Sequence, residues 1–253
     1  MLTPFMACNR WMLAVLVIVG APHLHGAALG QANAFSQGNA AYAAGHFGEA
    51  AQQFAAEIQR APSAEAWRNL GNAEWQEGHH GLAVLDWERA VWINPFDMEA
   101  ATSLRFARGS AGLSAPPLRW WEALAIGLPP DVWIGLATAG LWLALGTAVI
   151  FPVTLRWRRS AWNQALAAFG LGVSLVAFTA AYGVQTRMRL AVITTPAAPV
   201  LQAPAAHAPV VLKLNEGDVA RTEFTRGNYY HVRTGAGDAG WLEKSQLQRI
   251  TRP

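Results

Sequence analysis

The sequence predicts a mostly α-helical membrane protein that ends in a small all-β unit. Three observations predict this fold class. Only 14% of the 253 residues are charged and 53% are apolar, whereas an ordinary soluble domain carries roughly a quarter charged residues. Two long stretches, 132–155 and 160–186, contain no charged residue. A helical repeat precedes these stretches, and short alternating apolar runs follow them.

The net charge of +3 is unevenly distributed along the chain. Residues 31–110 carry −4, residues 111–190 carry +4 and residues 191–253 carry +2. This division indicates three units. None of the three units carries a basic stripe of the kind that nucleic-acid-binding proteins need, so we expect no nucleic-acid partner. The single cysteine, Cys8, excludes a disulfide framework.

Residues 1–30 have the pattern of a secretory signal peptide. Arg10 is followed by nine apolar residues, 11–19, and then by small residues that end in Ala28-Leu29-Gly30. Nine residues rise about 14 Å as a helix, which is too short to span a bilayer. We therefore predict export of the following residues after cleavage near Gly30. An uncleaved anchor that extends through Ala28 is the alternative.

Residues 31–110 contain a repeat with a period of roughly 34 residues. The second copy carries the clearer pattern: Trp67, Leu70, Gly71, Trp75, Gly78, Ala83, Trp87, Ala90 and Pro95. The first copy, one period earlier in the chain, shares part of it: Gly38, Tyr42, Gly45, Ala50, Phe54 and Pro62. These residues resemble the tetratricopeptide repeat. The resemblance implies two stacked helix pairs, capped by a further helix over about 98–108.

Stacked helix pairs of this family form a concave groove that binds peptides or partner proteins. The predicted groove residues are Asn39, Tyr42, Trp67, Asn72 and Trp75. Asn39 and Asn72 occupy matching positions of the two copies, where their amides are suited to hydrogen-bonding a peptide backbone. A pair of helix-surface amides is the alternative.

The sequence predicts no catalytic residue, no metal and no cofactor. No Gly-x-Ser-x-Gly elbow and no Gly-x-x-x-x-Gly-Lys-Ser/Thr loop occurs. His79 and His80 fall in a predicted turn without a third ligand at suitable spacing. The acidic residues of the repeats are expected to face solvent without basic partners. We therefore expect a non-enzyme.

The uncharged stretches predict transmembrane helices over 132–155 and 162–186, after a juxtamembrane linker over 111–131. Each exceeds the roughly 20 residues that a membrane-spanning helix needs. Four aromatic residues lie near the helix ends, as interfacial anchors do: Trp133, Trp157, Trp162 and Tyr182. Five glycines indicate close contact between the two helices: Gly135, Gly140, Gly170, Gly172 and Gly183.

The loop over 156–161 sets the predicted orientation in the lipid bilayer. It carries Arg156, Arg158 and Arg159 and no acid, so it is expected to be cytoplasmic. Both flanks of the hairpin then lie on the outer side, in agreement with an N-terminal signal peptide. Arg187 and Arg189 follow the second helix and argue against this orientation, but they are two positive charges against the three of the loop. The predicted location is the bacterial inner membrane, with both soluble units in the periplasm.

The chain beyond the second uncharged stretch predicts a linker and then strands. Residues 187–209 contain four prolines and are predicted to be an extended linker, although 190–193 has a strand pattern. Residues 210–253 alternate as short strands do. Three motifs resemble bacterial SH3-type domains: Leu214-Asn215-Glu216-Gly217, Tyr230-His231-Val232-Arg233 and Gly240-Trp241-Leu242. The resemblance implies a small barrel, with Tyr229, Tyr230 and Trp241 as a candidate surface for peptides or peptidoglycan.

The order of repeats, membrane hairpin and SH3-like barrel is similar to the BatE-type proteins of bacterial aerotolerance operons. That resemblance implies a scaffold in a cell-envelope complex with von Willebrand A-domain membrane proteins and a MoxR-type ATPase. Two other hypotheses stay open. One is a peptidoglycan-binding envelope anchor. The other is an assembly factor of the cytochrome c maturation type, although those proteins place their membrane helices ahead of the repeats.

Overall fold

The computed structural model describes residues 28–150 and 161–251 of the chain. The apolar run of the predicted signal peptide lies outside these ranges, as do the three arginines of the predicted cytoplasmic loop. The first five helices are α1 (Ala28–Ala43), α2 (Phe47–Arg60), α3 (Ala64–Gln76), α4 (His80–Ile93) and α5 (Met98–Ala111). Each packs against the next along the chain, as stacked helix pairs do.

The signature glycines allow these helices to approach each other closely. A Cβ atom on Gly38 would lie 2.7 Å from the Phe54 ring, and one on Gly71 would lie 2.8 Å from the Trp87 ring. Gly45 and Gly78 stand at matching turns, with φ of +78° and +86°, where a left-handed backbone favours glycine. The two copies therefore share their local geometry.

The start of α5 is held by a side-chain cap. The Asp97 carboxylate accepts a hydrogen bond from the Ala100 N–H at 3.0 Å and another from Arg68 at 3.0 Å. Ser63 caps α3 in the same way, through the Ala66 N–H at 3.2 Å. Polar residues at the N-cap satisfy backbone donors that the first helical turn leaves free. Gly112, with φ of +62°, ends α5.

Two helices are long and apolar enough to span a membrane, Pro130–Val149 and Ala161–Arg187. The first comprises α7 (Pro130–Leu145) and the π-helical turn Gly146–Ile150, and the second is α8 (Ala161–Arg187). A short helix, α6 (Trp120–Ile126), precedes them and packs against α8.

Two of the five predicted glycines, Gly140 and Gly170, lie at the contact between the two long helices, and Gly183 lies at the contact of α8 with α6. A Cβ atom on Gly140 would lie 2.6 Å from the Gly170 carbonyl oxygen, and Gly183 is packed against the Trp121 carbonyl. The prediction is wrong for Gly135 and Gly172, where an added Cβ atom would meet no atom of another helix within 4 Å among the described residues. Such tight contacts between small residues are typical of helices that associate in lipid.

The C-terminal unit is an antiparallel sheet of seven described strands, in the order β3-β2-β6-β5-β4-β1-β7. The strands are β1 (Leu190–Ile193), β2 (Ala198–Leu201), β3 (Val210–Leu214), β4 (Val219–Arg226), β5 (Tyr229–Arg233), β6 (Ala239–Glu243) and β7 (Leu247–Arg249). The predicted all-β character is confirmed, but the closed barrel is wrong. In the described sheet β3 and β7 are the edges and do not pair with each other.

The region predicted as a linker over 187–209 contributes two of these strands, β1 and β2. An extended, proline-containing backbone is compatible with a strand where pairing is needed on one side only. Pro199 fits this rule, because β2 pairs with β6 only where Leu201 faces Trp241. The strand pattern noted at 190–193 is β1, which begins shortly after α8 ends.

β1 is buried on both faces. Leu190 and Val192 belong to the same apolar cluster as the helices of the repeats. Ala191 and Ile193 belong to the core of the sheet itself. Helix α4 therefore covers the face of β1 that points away from the core of the sheet.

A buried ion pair joins the sheet to α6. Glu122 is fully buried and accepts two hydrogen bonds from the Arg221 guanidinium, at 2.7 and 3.0 Å. It also accepts one from the Arg119 N–H at 3.0 Å. Burial alone raises the pKa of Glu122, but the hydrogen bonds outweigh it and hold the pKa below its ordinary value.

Candidate functional site

The first candidate site is a groove between α3, α4 and α5 with a volume of about 450 Å³. Three of the five predicted groove residues line it: Tyr42, Asn72 and Trp75. Six further residues complete the described lining: Gln76, Trp87, Glu99, Thr102, Ser103 and Phe106. This lining is aromatic, amide and hydroxyl in character, and Glu99 is the only charged side chain among the residues described there.

Aromatic side chains form the floor and one wall of this groove. The Trp75 ring lies 5.5 Å from that of Trp87 and 5.9 Å from that of Phe106, between ring centroids. It also contacts His80 at 4.3 Å. Phe106 is 60% exposed, so a large apolar surface on α5 faces solvent beside the groove. Exposed aromatic residues that border a concave surface are typical of binding sites.

Asn72 is held in place by one of these aromatic residues. Its side-chain oxygen accepts a hydrogen bond from the Trp87 Nε1–H at 2.9 Å. The oxygen is therefore already engaged, and the amide nitrogen is the donor that Asn72 can offer to a ligand.

The other two predicted groove residues lie elsewhere. Trp67 is 6% exposed and packs in the core of the repeats, with the Arg89 guanidinium 4.6 Å from its ring. It borders a separate hollow of about 170 Å³. Asn39 is exposed and accepts a hydrogen bond from Asn69 at 3.2 Å, which joins α1 to α3 outside the groove.

The sequence contained a signal for the residues of α5 that the prediction missed. Phe106 stands one repeat period after Asn72, and both residues line the groove. The capping helix therefore continues the groove surface of the repeats and does not only cover their end.

The expectation that the acidic residues of the repeats face solvent without basic partners is wrong for Glu74, Asp86 and Glu88. Asp86 is 4% exposed and contacts Arg89 at 3.1 Å, and Glu88 forms an ion pair with Arg108. Glu74 contacts the Nδ1 atom of His79 at 2.6 Å. Within the described residues, no three His, Cys, Asp or Glu side chains form a group that could hold a metal ion.

The predicted aromatic surface of the sheet is divided between two faces. Tyr230 lies opposite the fully buried Leu242, and it packs against the sheet core. Trp241 lies opposite His231 on the other face. Because side chains alternate along a strand, the half-buried Tyr229 lies on the same face as His231.

Phe224 and His231 complete an aromatic cluster that the prediction missed. Their rings stack at 4.5 Å, and the Trp241 ring lies 5.4 and 5.2 Å from them, between centroids. The neighbouring Glu223 accepts hydrogen bonds from Arg233 and His231. These hydrogen bonds, that from Arg233 first, hold the pKa of the Glu223 carboxyl below its ordinary value. We define Phe224, His231 and Trp241 as the sheet aromatic cluster.

Comparison with known families places the groove in a known context. Residues 35–96 match the tetratricopeptide repeat family. The matched range contains most of α1 and all of α2, α3 and α4, and therefore the groove residues Tyr42, Asn72 and Trp75. No curated protein matches the chain. The repeats indicate a protein-interaction scaffold, because stacked repeats of this kind present concave binding surfaces.

Proposed function

We propose that this protein is a non-enzymatic scaffold of a bacterial cell-envelope complex, anchored in the inner membrane by its helical hairpin. The observation that carries the proposal is the groove lined by Trp75, Trp87 and Phe106 within the tetratricopeptide repeats. The two apolar helices supply the anchor. The arginines of the loop over 156–161 favour a periplasmic location for the repeats and the sheet.

The chemistry of the groove favours a particular kind of peptide. The Glu99 carboxylate, the only charged group of the described lining, lies 3.3 Å from Arg68 Nε. No lysine or arginine among the described residues lines the groove, so it has no cation to receive a peptide C-terminal carboxylate. An internal segment with an apolar or aromatic anchor fits this lining better. Such a residue would contact Trp75 and Phe106 while its backbone accepts from Asn72.

The proposed partners are von Willebrand A-domain membrane proteins of an aerotolerance-type complex that includes a MoxR-type ATPase. The resemblance of the domain order to BatE-type proteins supports this choice. A periplasmic groove next to the membrane is also well placed to reach segments of other membrane proteins.

Two exposed phenylalanines make a matched test of the groove. Phe106 lines the groove and is 60% exposed, and Phe96 lies outside the groove and is 63% exposed. Loss of an aromatic anchor typically weakens binding by about 2 kcal/mol or more, roughly 30-fold. We expect Phe106→Ala to abolish co-purification of a von Willebrand A-domain protein in detergent, and Phe96→Ala to retain it.

The two parts of the proposal fail in different ways. If the folded Phe106→Ala chain retains its partner, the groove is not the binding site. If the wild-type chain brings down no von Willebrand A-domain protein, the complex is of another type.

Topology is tested separately by replacing Cys8 and labelling Ala236→Cys or Ser160→Cys with an impermeant maleimide. We expect the first to be labelled from the periplasm and the second only after lysis.

The sheet aromatic cluster favours a second function, that of a peptidoglycan-binding anchor. Phe224 is 54% exposed, and its ring stands beside those of His231 and Trp241. Sedimentation of the full chain with purified sacculi tests this function. Binding that is lost in Phe224→Ala supports it, and the absence of any sedimentation excludes it.

A further inference from the structure

A second cavity lies where the repeats, the juxtamembrane segment, α8 and the sheet meet. Its volume is about 380 Å³. Side chains of α4 and α5 form one wall, residues 115–126 form another, and Arg187, Leu190 and Val219 form a third. Among the described residues, it shares no lining residue with the groove of the repeats. It is therefore a distinct candidate site.

The cavity carries an excess of positive charge. Arg105, Arg108 and Arg187 belong to its described lining together with a single acid, Glu88. Arg108 forms an ion pair with Glu88, so these two charges compensate each other. Arg187, at the end of α8, is attracted by both Glu88 and Glu122. Arg105, on α5 at the opposite side of the cavity, forms no ion pair among the described residues, and it supplies the excess charge.

Arg187 is positioned but incompletely satisfied. Its guanidinium lies over the Trp92 ring, 4.9 Å from the centroid, which fixes the plane of the group. Its Nε atom is buried and has no hydrogen-bond acceptor among the described residues. A buried donor without an acceptor is costly. Because this Nε atom has almost no accessible surface, an anion in the cavity would bind the terminal Nη atoms of Arg187, for which the described residues provide no hydrogen-bond acceptor.

The position of the cavity relative to the hairpin indicates where that anion comes from. Arg187 is the last residue of the second candidate span. The neighbouring Val184 packs with Trp133 at the start of α7 and with Ala125 of α6. The cavity therefore lies at the level where both candidate spans end on one side.

The rest of the lining suits a hydrocarbon chain. Leu118 and Ile126 lie on the side of the juxtamembrane segment, and Leu104 and Leu190 lie deeper. Leu118 is 46% exposed, so the apolar wall is open towards the surroundings. A phosphate-binding arginine pair next to an open apolar wall matches the two parts of a phospholipid molecule.

We propose that this cavity binds the headgroup of an anionic phospholipid. Arg187 and Arg105 donate hydrogen bonds to its phosphate oxygens, and the apolar wall of Leu118 and Ile126 contacts the first part of an acyl chain. This inference rests on the membrane anchoring in the proposed function, because the lipid reaches the cavity from the surrounding bilayer.

The test titrates the full chain in detergent micelles with phosphatidylglycerol or with phosphatidylcholine, and counts bound lipids by native mass spectrometry. Hydrogen bonds to charged groups are worth about 10- to 100-fold in affinity. Both lipids carry the phosphate, but the choline cation of phosphatidylcholine would lie beside the arginines and be repelled, so we expect phosphatidylglycerol to bind at least about tenfold more tightly. Arg187→Gln and Arg105→Gln should each lose about tenfold or more, whereas Arg189→Gln, an exposed neighbour outside the cavity, should stay within about twofold.

Each outcome decides between alternatives. Equal binding of the two lipids overturns the proposal, as does unchanged binding in both Arg187→Gln and Arg105→Gln. If Arg187→Gln fails to fold, the exposed Arg105 decides the result alone. If glycerol phosphate competes as well as phosphatidylglycerol, the ligand is a soluble phosphate compound and the lipid assignment is wrong. Failure of the chain to enter lipid nanodiscs contradicts the membrane anchor itself, whereas entry without lipid preference contradicts only this inference.

Discussion

Removing the Arg221 side chain should weaken the contact between the sheet and α6. In the variant Arg221→Met, Glu122 stays fully buried and loses its ion-pair partner, while the neutral donors at the Arg119 N–H and the Thr186 side chain remain. The variant therefore converts a paired buried carboxylate into an unpaired one. A double variant, Glu122→Leu with Arg221→Met, removes both charges and leaves apolar side chains of similar size.

The geometry sets the size of the effect. Arg221 donates two hydrogen bonds to Glu122, at 2.7 and 3.0 Å, and each bond to a charged group contributes about 1.5–3 kcal/mol. Breaking a buried ion pair on one side costs about 3–5 kcal/mol in all. The Arg221 side chain retains 12% exposure, so we expect the lower part of that range, about 3–4 kcal/mol. The double variant should lie within about 1 kcal/mol of the wild type.

Native-state hydrogen exchange measures this cost locally, because it reports the opening free energy of β4 and α6 separately from global unfolding. We expect the amides of both elements to lose protection together in Arg221→Met and to regain it in the double variant. A cost below about 1 kcal/mol in Arg221→Met would refute the reasoning. So would a double variant as unstable as the single one, because the cost would then not come from the unpaired charge.

Two further variants and one change of pH test other contacts. Gly140→Leu should destabilise the hairpin by about 1–3 kcal/mol, because its side chain would overlap the backbone of α8; thermal unfolding in detergent checks this, with Gly135→Leu, which faces open space, as the unaffected control. Asp97→Ala should cost about 1–2 kcal/mol through the lost cap of α5, seen as faster exchange of the first amides of that helix, and unchanged exchange there would contradict it. The lowered pKa of Glu122 means that its contribution to stability is complete above its unfolded pKa of about 4.3 and declines as the pH falls through the lower folded value. Exchange protection of α6 should therefore fall in acid below about pH 4, and protection that rises in acid would contradict the assignment.

The local patterns were sufficient to predict the helices of the repeats and of the hairpin. The repeat period predicts the first four helices because each copy repeats the same packing residues, such as Gly38 and Gly71. The uncharged stretches predict α7 and α8 because a helix that can span a membrane is recognised by its apolar composition over a fixed length. The ion pair of Asp86 and Arg89 was not predicted, although residues three apart on a helix are neighbours and the spacing alone indicates it.

The contacts between segments that are distant in the sequence could not be predicted from local patterns. Gly81 donates a hydrogen bond to the Glu216 carboxylate at 2.7 Å across 135 residues of sequence. Arg89 donates to the Ile250 carbonyl at 3.2 Å. Nothing in the proline-rich stretch around β1 and β2 indicates that a repeat helix covers one face of the sheet. The sequence therefore predicts a linker and a closed barrel, whereas the structure has an open sheet packed against α4.

The direct passage from α8 into β1, together with the packing of β1 against α4, ties the groove to the proposed membrane anchor without a flexible linker. Only Met188 and Arg189 separate the two elements, and both make backbone hydrogen bonds, to Val184 and from Thr222, at 3.1 and 2.7 Å. A groove on a flexible linker samples a wide volume, and its effective concentration at a target falls as the linker lengthens. With the hairpin in a bilayer, this groove is instead held at one height above it. It would therefore select partners by the distance of their binding segment from the membrane surface as well as by sequence.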